Sequence, residues 1–336
     1  MPAAPDVSAG GTRCPTVRVA QFLLEHRDAY ARAIARATAW LDGQIIDAVR
    51  LSALGLKGKK HLVEALDGYV YLSRIAGPEE RERVLDRVRA LAASTESDGY
   101  HDMQRLDEAT FKRDATSYLR AAYLLDHLGV LPARYRGEIA AIHGRLDGQM
   151  RKRGVDQQMV FAMYYEHFGL REPFPLARAF DDGIISRQAD PAKMTQDDMY
   201  SLTHEVFAPY GYGEQREANP FSIHHKRYLR RALPVLVQRR IKRGDPDLVA
   251  ELVTCMRFLE LIDLDAYRDG LGLIFSSQQE AGSWGDYERY RAEAGALVEV
   301  KYVLHTTTVV IEALALAFHP AWNQHVVPFC DEEDGK

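Results

Sequence analysis

Length, composition and charge describe an ordinary globular protein. The chain has 336 residues, and its 43 Lys and Arg against 48 Asp and Glu give a formal net charge of −5. Its hydrophobic share of 46% and charged share of 27% lie in the globular range. No run of about eighteen apolar residues occurs, which excludes a membrane-spanning helix. A pI near 6.2 argues against a nucleic-acid binder that works by bulk charge.

The cysteines indicate neither a disulfide framework nor a cysteine-rich zinc site. Cys14, Cys255 and Cys330 are the only cysteines, and they share no paired spacing. The first seventeen residues contain no apolar core of a secretory signal. A cytoplasmic protein in a reducing compartment is the simplest interpretation.

Apolar residues recur at spacings of three and four along nearly the whole chain, which predicts helices throughout. Strands are not predicted, because no sustained alternation of apolar and polar residues with hairpin turns is found. In chain order the predicted helices, about twelve in number, cover residues 17–42, 61–75, 79–91, 111–128, 134–153, 155–168, 175–185, 197–207, 226–242, 246–262, 265–279 and 294–318.

The predicted helices fall into two classes that alternate along the chain. Those around Val84, Arg134 and Lys226 are charged along one face, which is typical of outer helices. Those over 249–258 and 309–318 are apolar almost all round, which is typical of buried helices. Alternating outer and inner helices predict an all-α fold, an α/α toroid of about six helical hairpins.

The toroid would occupy one domain from residue 17 to residue 320. A disordered tail is predicted over 1–16, where small residues and proline dominate, and a second tail over 321–336.

An internal repeat supports this arrangement, because three segments share a turn, a connection of about twenty residues and an inner helix. The turns are 97–100, 181–184 and 278–284, and the inner-helix segments that follow them are 114–118, 200–204 and 304–308. Two of the turns contain Asp-Gly and the third contains Gly-Ser-Trp. Coincidence is the alternative, since Asp-Gly turns are common in helical proteins.

The segment from Gln278 to Trp284 resembles the Gln…Gly-Ser-Trp turn of the terpenoid cyclase and protein prenyltransferase toroid superfamily. Together with 202–204, 247–252 and 305–307, the pattern is most similar to an uncharacterised bacterial toroid family found near natural-product biosynthetic genes. The resemblance covers roughly residues 175–318. It implies the toroid fold, whereas the aspartate-rich acid motif of class II terpene cyclases has no counterpart in the segment 263–266.

Polar groups on the apolar inner helices are the candidates for chemistry. In a toroid the inner helices run parallel, so that their N-terminal ends converge on one mouth of the cavity. His204, Glu251 and His305 lie on three such helices, and Asp247 shares a helix face with Glu251 at a spacing of four. Two imidazoles with one or two carboxylates suit Zn²⁺ or Fe²⁺, which predicts a divalent metal held by His204, Glu251 and His305.

Structural roles are the alternative for the same residues. A lone histidine on an apolar helix is more often a core residue with one hydrogen bond. Asp247 follows Asp245-Pro246 and so could be a first-turn acid behind an N-cap. Glu251 has apolar neighbours in sequence and needs a partner if it is ionised. A metal-free acid–base site, or a polar-lined cavity, therefore stays open.

Further candidates occupy corresponding places in the repeat or lie among the aromatic residues. Asp114 and Tyr118 occupy the position in the first repeat from which a side chain would contact the substrate. We predict catalytic roles for these two residues and for Asp247. His61 opens an inner helix as His305 does. The predicted substrate-binding residues are Tyr200, Phe207, Tyr164 and His61, although aromatic residues at helical spacing are usually core.

The leading hypothesis is a metal-dependent enzyme that acts on a small organic molecule, in natural-product biosynthesis, with Asp247 as a fourth ligand or an orienting group. One alternative is a metal-free cyclase or lyase that uses general acids and bases. Another is a non-catalytic helical-repeat binding protein. A small-molecule partner is expected in the first two cases. Neither nucleic-acid binding nor a membrane span is expected in any of the three. A homodimer is compatible with all of them.

Overall fold

A computed structural model of the chain describes residues 21–44, 58–97, 99–175, 180–215, 220–287 and 299–318. The predicted tails over 1–16 and 321–336 lie outside these residues. So do Cys14 and Cys330, whereas Cys255 is a buried free thiol.

The described residues form helices and contain no strand, which confirms the all-α prediction for them. The long helices are α1 (Arg27–Gly43), α2 (Gly58–Ile75), α3 (Pro78–Ser94), α4 (Glu108–His127), α5 (Ala133–Met150), α6 (Val155–Phe168), α7 (Gln196–Phe207), α8 (Ile223–Ile241), α9 (Pro246–Phe258), α10 (Asp265–Ser276) and α11 (Leu304–Phe318). A 3₁₀ segment (Ala208–Gly213) extends α7, and a π-helical turn (Glu299–Val303) precedes α11. No helix of the described part is long and apolar enough to cross a membrane.

Local chemistry sets the helix ends close to the predicted places. Asp107, Thr195 and Ser222 are N-caps whose side chains accept a backbone N–H of the first turn, and Thr195 forms a full capping box with Asp198. α6 ends at Gly169, which has a left-handed φ of 64°. The short helix predicted over 175–185 and the segment 294–298 of the last predicted helix lie partly or wholly outside the described residues.

Six helices, α2, α4, α6, α7, α9 and α11, have at least half of their residues buried, and we call them the buried helices. Their mutual contacts run from α2 to α4, α4 to α6, α6 to α7, α7 to α9, α9 to α11 and α11 back to α2. The striped helices α1, α3, α5, α8 and α10 pack against this series. The helices that are apolar in sequence are therefore the more buried ones, and the helices with one charged face are the less buried ones.

Side-chain contacts between the buried helices show which way they run. Glu64 of α2 lies beside His305 of α11, and seven residues further along both helices Tyr71 contacts Glu312. Between α9 and α11, Asp247 accepts from Thr306, and ten residues later the Arg257 side chain donates to the Leu316 carbonyl. Equal steps in the same direction mean that α2, α9 and α11 run parallel, so their N-terminal turns share one level.

Each turn of the predicted repeat, or the residue directly after it, contacts a buried helix. In the second turn the Glu205 carboxylate of α7 accepts the backbone N–H groups of Ile184 (2.8 Å) and Ile185 (3.0 Å). In the third, the Trp284 N–H donates to the Thr307 hydroxyl of α11 over 3.1 Å. In the first, His101 pairs with the Tyr118 hydroxyl of α4 over 2.7 Å.

The segment from Gln278 to Trp284 joins the two ends of the described chain. The Gln278 amide donates to the carbonyl of Ala33 in α1, and the buried Trp284 indole donates to the Ile274 carbonyl of α10. Gly282 has a φ of 102°, and a Cβ there would lie 2.4 Å from the Arg36 carbonyl oxygen of α1. This turn therefore has a structural role, because it connects α1 to the last helices.

Candidate functional site

A polar stripe runs along α2, a helix that is otherwise packed on nearly all sides. His61, Glu64, Asp67 and Tyr71 follow at spacings of three or four, which places them on one face. Two shorter stripes face it: His305 and Glu312 on α11, and Asp247 and Glu251 on α9. The parallel arrangement brings the first residues of these stripes together.

The carboxylate–imidazole cluster consists of His61, Glu64, Tyr200, Asp247, His305 and Thr306. The His305 ring lies between two acids, with Nδ1 3.4 Å from Glu64 Oε1 and Nε2 3.7 Å from Asp247 Oδ1. His61 Nδ1 is 3.1 Å from Glu64 Oε2.

Asp247 is held in place by two hydroxyl groups. The Tyr200 hydroxyl donates to its Oδ2, and the Thr306 hydroxyl donates to its Oδ1 over 3.0 Å. Asp247 is therefore far more than the first-turn acid of α9, because its side chain joins α7, α9 and α11.

The charges of the cluster reinforce one another. Burial favours a neutral His305, yet Asp247 and Glu64 outweigh it and raise the pKa of His305 to about 10. Burial likewise opposes ionisation of Glu64, but hydrogen bonds from His305 and His61 lower its pKa below the ordinary value. Both shifts favour a charged pair of protonated His305 and ionised Glu64.

The His305 side chain is 38% exposed, whereas those of Glu64 and Asp247 are 7% and 8% exposed. Its neighbours Leu304, Thr306, Thr307 and Thr308 are all buried, and α11 is in contact with α1, α2 and α9. The His305 ring is therefore the most exposed of the three side chains and the one that a ligand can reach.

A second group lies beside the cluster on α6, α7 and α9. His204 Nδ1 is 3.8 Å from Asp156 Oδ2, and the buried Glu251 accepts from the Thr203 hydroxyl over 2.5 Å. Burial raises the pKa of Glu251, while the positive charges of His204 and His305 lower it. Glu251 therefore lies within electrostatic reach of both imidazoles.

An arginine cluster follows one turn below the carboxylate–imidazole cluster. Arg120 of α4 donates from Nε (3.0 Å) and Nη2 to Asp67 of α2, and the pair is mostly buried. The Tyr212 ring covers the guanidinium, with its centroid 3.8 Å from Cζ. Tyr164 of α6 is the fourth member, and it is fully buried.

Glu312 lies next to the arginine cluster and shares one hydroxyl group with the segment that carries Tyr212. The Tyr71 Oη is 2.6 Å from Glu312 Oε1 and 3.0 Å from the Tyr212 carbonyl oxygen. Burial raises the pKa of Glu312 to about 7, against the hydrogen bond of Tyr71. A buried carboxyl group with such a pKa exchanges its proton near neutral pH.

Two predicted site residues have contacts that lead away from this region, and a third, Phe207, borders on it. Asp114 pairs with its neighbour Arg113 over 2.6 Å, and Tyr118 packs among Tyr100, His101 and Tyr135. Phe207 is buried among aromatic rings, with the ring of Tyr212 at 5.5 Å and that of His204 at 6.2 Å. Catalytic roles for Asp114 and Tyr118 stay predictions.

No group of three or more His, Cys, Asp or Glu side chains in the described part of the chain is arranged to hold a metal ion. The two predicted histidine ligands face different carboxylates, His204 towards Asp156 and His305 towards Glu64 and Asp247. The predicted divalent metal stays a prediction.

Sequence reasoning missed Glu64, Asp67, Arg120 and Glu312. A signal existed, because His61, Glu64, Asp67 and Tyr71 repeat at helical spacing in an apolar segment. These four residues lie beyond the first turns of their helices, where the repeat marks no position.

Comparison with known proteins adds a family and little else. The family described as a domain of unknown function (DUF6895) matches residues 30–315. No curated protein and no solved structure matches the chain. The match spans all of the side chains of both clusters.

Proposed function

This chain belongs to the family of the domain of unknown function DUF6895, and we propose that it is an enzyme that transforms a small organic molecule by general acid–base catalysis. The observation that carries the proposal is His305, a reachable imidazole fixed between the buried carboxylates of Glu64 and Asp247. Clustered titratable groups with shifted pKa values beside an internal space are typical of active sites.

The roles of the cluster and of the two acids near it follow from their charges, pKa shifts and hydrogen bonds. The positive charge of His305 stabilises negative charge that develops on a substrate. Glu251 and Glu312, whose pKa values burial raises, exchange protons with the substrate. Asp247 is a positioning residue, since Tyr200 and Thr306 hold its carboxylate against the imidazole.

The fold proposed for this enzyme is an α/α toroid with the buried helices as its inner wall. Support comes from the series of contacts that returns from α11 to α2 and from the parallel course of α2, α9 and α11. In such a wall the two clusters would lie at successive levels of one cavity. The reaction types that suit the groups present are those of a lyase or cyclase, in which protons move without oxidation.

A metal-dependent form of the same proposal keeps His204, Glu251 and His305 as ligands. One observation favours it, namely that Glu251 lies within electrostatic reach of both imidazoles. The metal would polarise a carbonyl group or activate water. Chelation separates the two forms.

The test uses the full chain and a mixture of cellular metabolites analysed by mass spectrometry. The wild-type protein should convert specific compounds into isomers or into products of a neutral loss. Asp247→Asn should lower the rate about 100-fold or more. Asp147→Asn is the matched control, because Asp147 also accepts a tyrosine hydroxyl, that of Tyr165, but lies on α5. Thermal unfolding checks that both variants fold.

Unchanged metabolites with the wild-type protein, or equal rates in Asp247→Asn, would contradict the proposal and favour the binding-protein alternative. Activity that survives a strong chelator supports the metal-free form. Activity that is lost and then restored by Zn²⁺ or Fe²⁺ supports the metal-dependent form.

A further inference from the structure

The arginine cluster contains two buried hydrogen-bond donors without an acceptor. Arg120 Nη1 and the Tyr164 hydroxyl have no hydrogen-bond partner among the described residues. Arg120 is 9% exposed and Tyr164 is fully buried. The two groups are neighbours, since Arg120 lowers the pKa of Tyr164 through its charge and through a side-chain contact, against the larger effect of burial. That contact does not have the geometry of a hydrogen bond, so Nη1 and the hydroxyl both lack a partner. Buried donors in this state are uncommon and costly.

Nearby hydroxyl groups do have acceptors. Tyr165, the next residue of α6, donates to Asp147 over 2.7 Å, and Tyr123 donates to the Gly211 carbonyl over 3.3 Å. The other nitrogens of Arg120, Nε and Nη2, are both occupied by Asp67. Next to these satisfied groups, Arg120 Nη1 and the Tyr164 hydroxyl lack an acceptor; elsewhere in the described part the hydroxyls of Tyr100 and Tyr135 lack one as well.

We infer that Arg120 and Tyr164 form a subsite for the carbonyl oxygen of an uncharged substrate. Two converging donors fit the two lone pairs of such an oxygen. An uncharged acceptor is favoured because Asp67 already neutralises Arg120, so that a carboxylate would add an excess negative charge beside Glu312.

The way into the subsite leads past Tyr212. Its ring lies on the guanidinium, and its φ of 52°, next to Gly211 at 56°, is a left-handed conformation that is costly for a tyrosine. The side chain of Asp67 is 20% exposed, so the ion pair borders on open space. A substrate oxygen reaches Arg120 once the Tyr212 ring turns aside.

The inferred subsite rests on the proposed function, and its position narrows the substrate class of the proposed enzyme. Asp67 follows Glu64 by three residues, a rise of about 4.5 Å along α2. A carbonyl oxygen at Arg120 would bring the carbon atoms next to it up to Glu64 and His305. The substrate class is thus a small ketone, aldehyde, ester or amide whose reacting carbon lies near the carbonyl group.

The experiment uses cyclohexanone and, as a charged probe of similar size, cyclohexanecarboxylate, with binding followed by ligand-observed NMR. Cyclohexanone should bind to the wild-type protein and its carbonyl stretch should shift to lower frequency in the infrared spectrum. Tyr164→Phe should weaken binding about tenfold and reduce the infrared shift. Tyr165→Phe is the matched control and should change neither.

A second readout does not depend on any ligand. In urea unfolding, Tyr164→Phe should be at least as stable as the wild type, whereas Tyr165→Phe should be less stable because it loses the bond to Asp147.

Four results would overturn the inference: no binding of cyclohexanone, binding unaffected by Tyr164→Phe, tighter binding of the carboxylate, or Tyr164→Phe as unstable as Tyr165→Phe. If any of these occurs while Asp247→Asn abolishes turnover, the subsite is wrong and the proposed function stands.

Discussion

Replacing Glu312 by glutamine should remove a loss of stability that the wild-type protein suffers as the pH rises. The Glu312 carboxyl is buried beside Tyr71, Arg120, Asp67 and Glu251. Burial raises its pKa from 4.5 to about 7, so the folded chain holds this proton more tightly than the unfolded chain does.

The sign and size follow from linkage. Below pH 4.5 the carboxyl group is protonated in both the folded and the unfolded chain, so it does not change the free energy of unfolding. As the pH rises from 4.5 through about 7, the unfolded chain loses this proton first, and the free energy of unfolding falls progressively. At 1.36 kcal/mol per pKa unit, the full loss is about 3 kcal/mol. Glutamine keeps an oxygen that accepts from Tyr71 and carries no charge, so Glu312→Gln should escape this loss.

The assay is urea unfolding of wild type and variant at closely spaced pH values from 4 to 8.5. The stability difference should grow in favour of the variant by about 3 kcal/mol across the window, and then level off. Glu96→Gln is the control for loss of a carboxylate, because Glu96 is exposed.

A difference that stays constant over the whole pH range would refute the reasoning, because it would mean that Glu312 has the same proton affinity in the folded and unfolded chains. A difference that grows equally in Glu96→Gln would refute it as well, since burial would then play no part.

Two further predictions concern packing of the helices around the site. In α10, Gly270→Ala should destabilise the fold by about 2 kcal/mol, because a Cβ would lie 2.5 Å from a methyl group of Val253, whereas Gly272→Ala meets nothing within 4 Å and should stabilise by about 0.5 kcal/mol. Thermal and urea unfolding of the two variants decide this, and equal effects would contradict it. Gly282→Ala should cost about 2 kcal/mol or more and should broaden or lower the unfolding transition, since both its φ of 102° and the Arg36 carbonyl oppose a side chain. A wild-type transition in that variant would show that the turn does not hold α1.

Much of the fold was predictable because helix formation is decided locally. The N-caps Asp107 and Thr195 and the stop at Gly169 act through groups within a few residues of each other, so their effect is visible in the sequence. The shared face of Asp247 and Glu251 also follows from helical spacing. The same reasoning separated apolar helices from striped ones, and burial in the structure follows that division.

The proximity of two predicted site residues follows from a similar local rule. His305 and Asp247 begin parallel helices, and the contact between them agrees with the expectation that the N-terminal ends converge. The contacts of Asp114 with Arg113 and of Tyr118 with His101 depend on which neighbour each side chain meets, which no repeat position reveals.

By itself, then, the sequence determined the helices, their buried faces and a set of polar residues in apolar surroundings. Only the tertiary structure decided which of those polar residues meet. Glu64 lies against His305 although 241 positions separate them in sequence, and Arg120 lies against Asp67 rather than Glu312. Such pairings depend on the relative rotation and axial offset of separate helices. Those are set by the summed packing of many side chains, whereas helical spacing acts within a single segment.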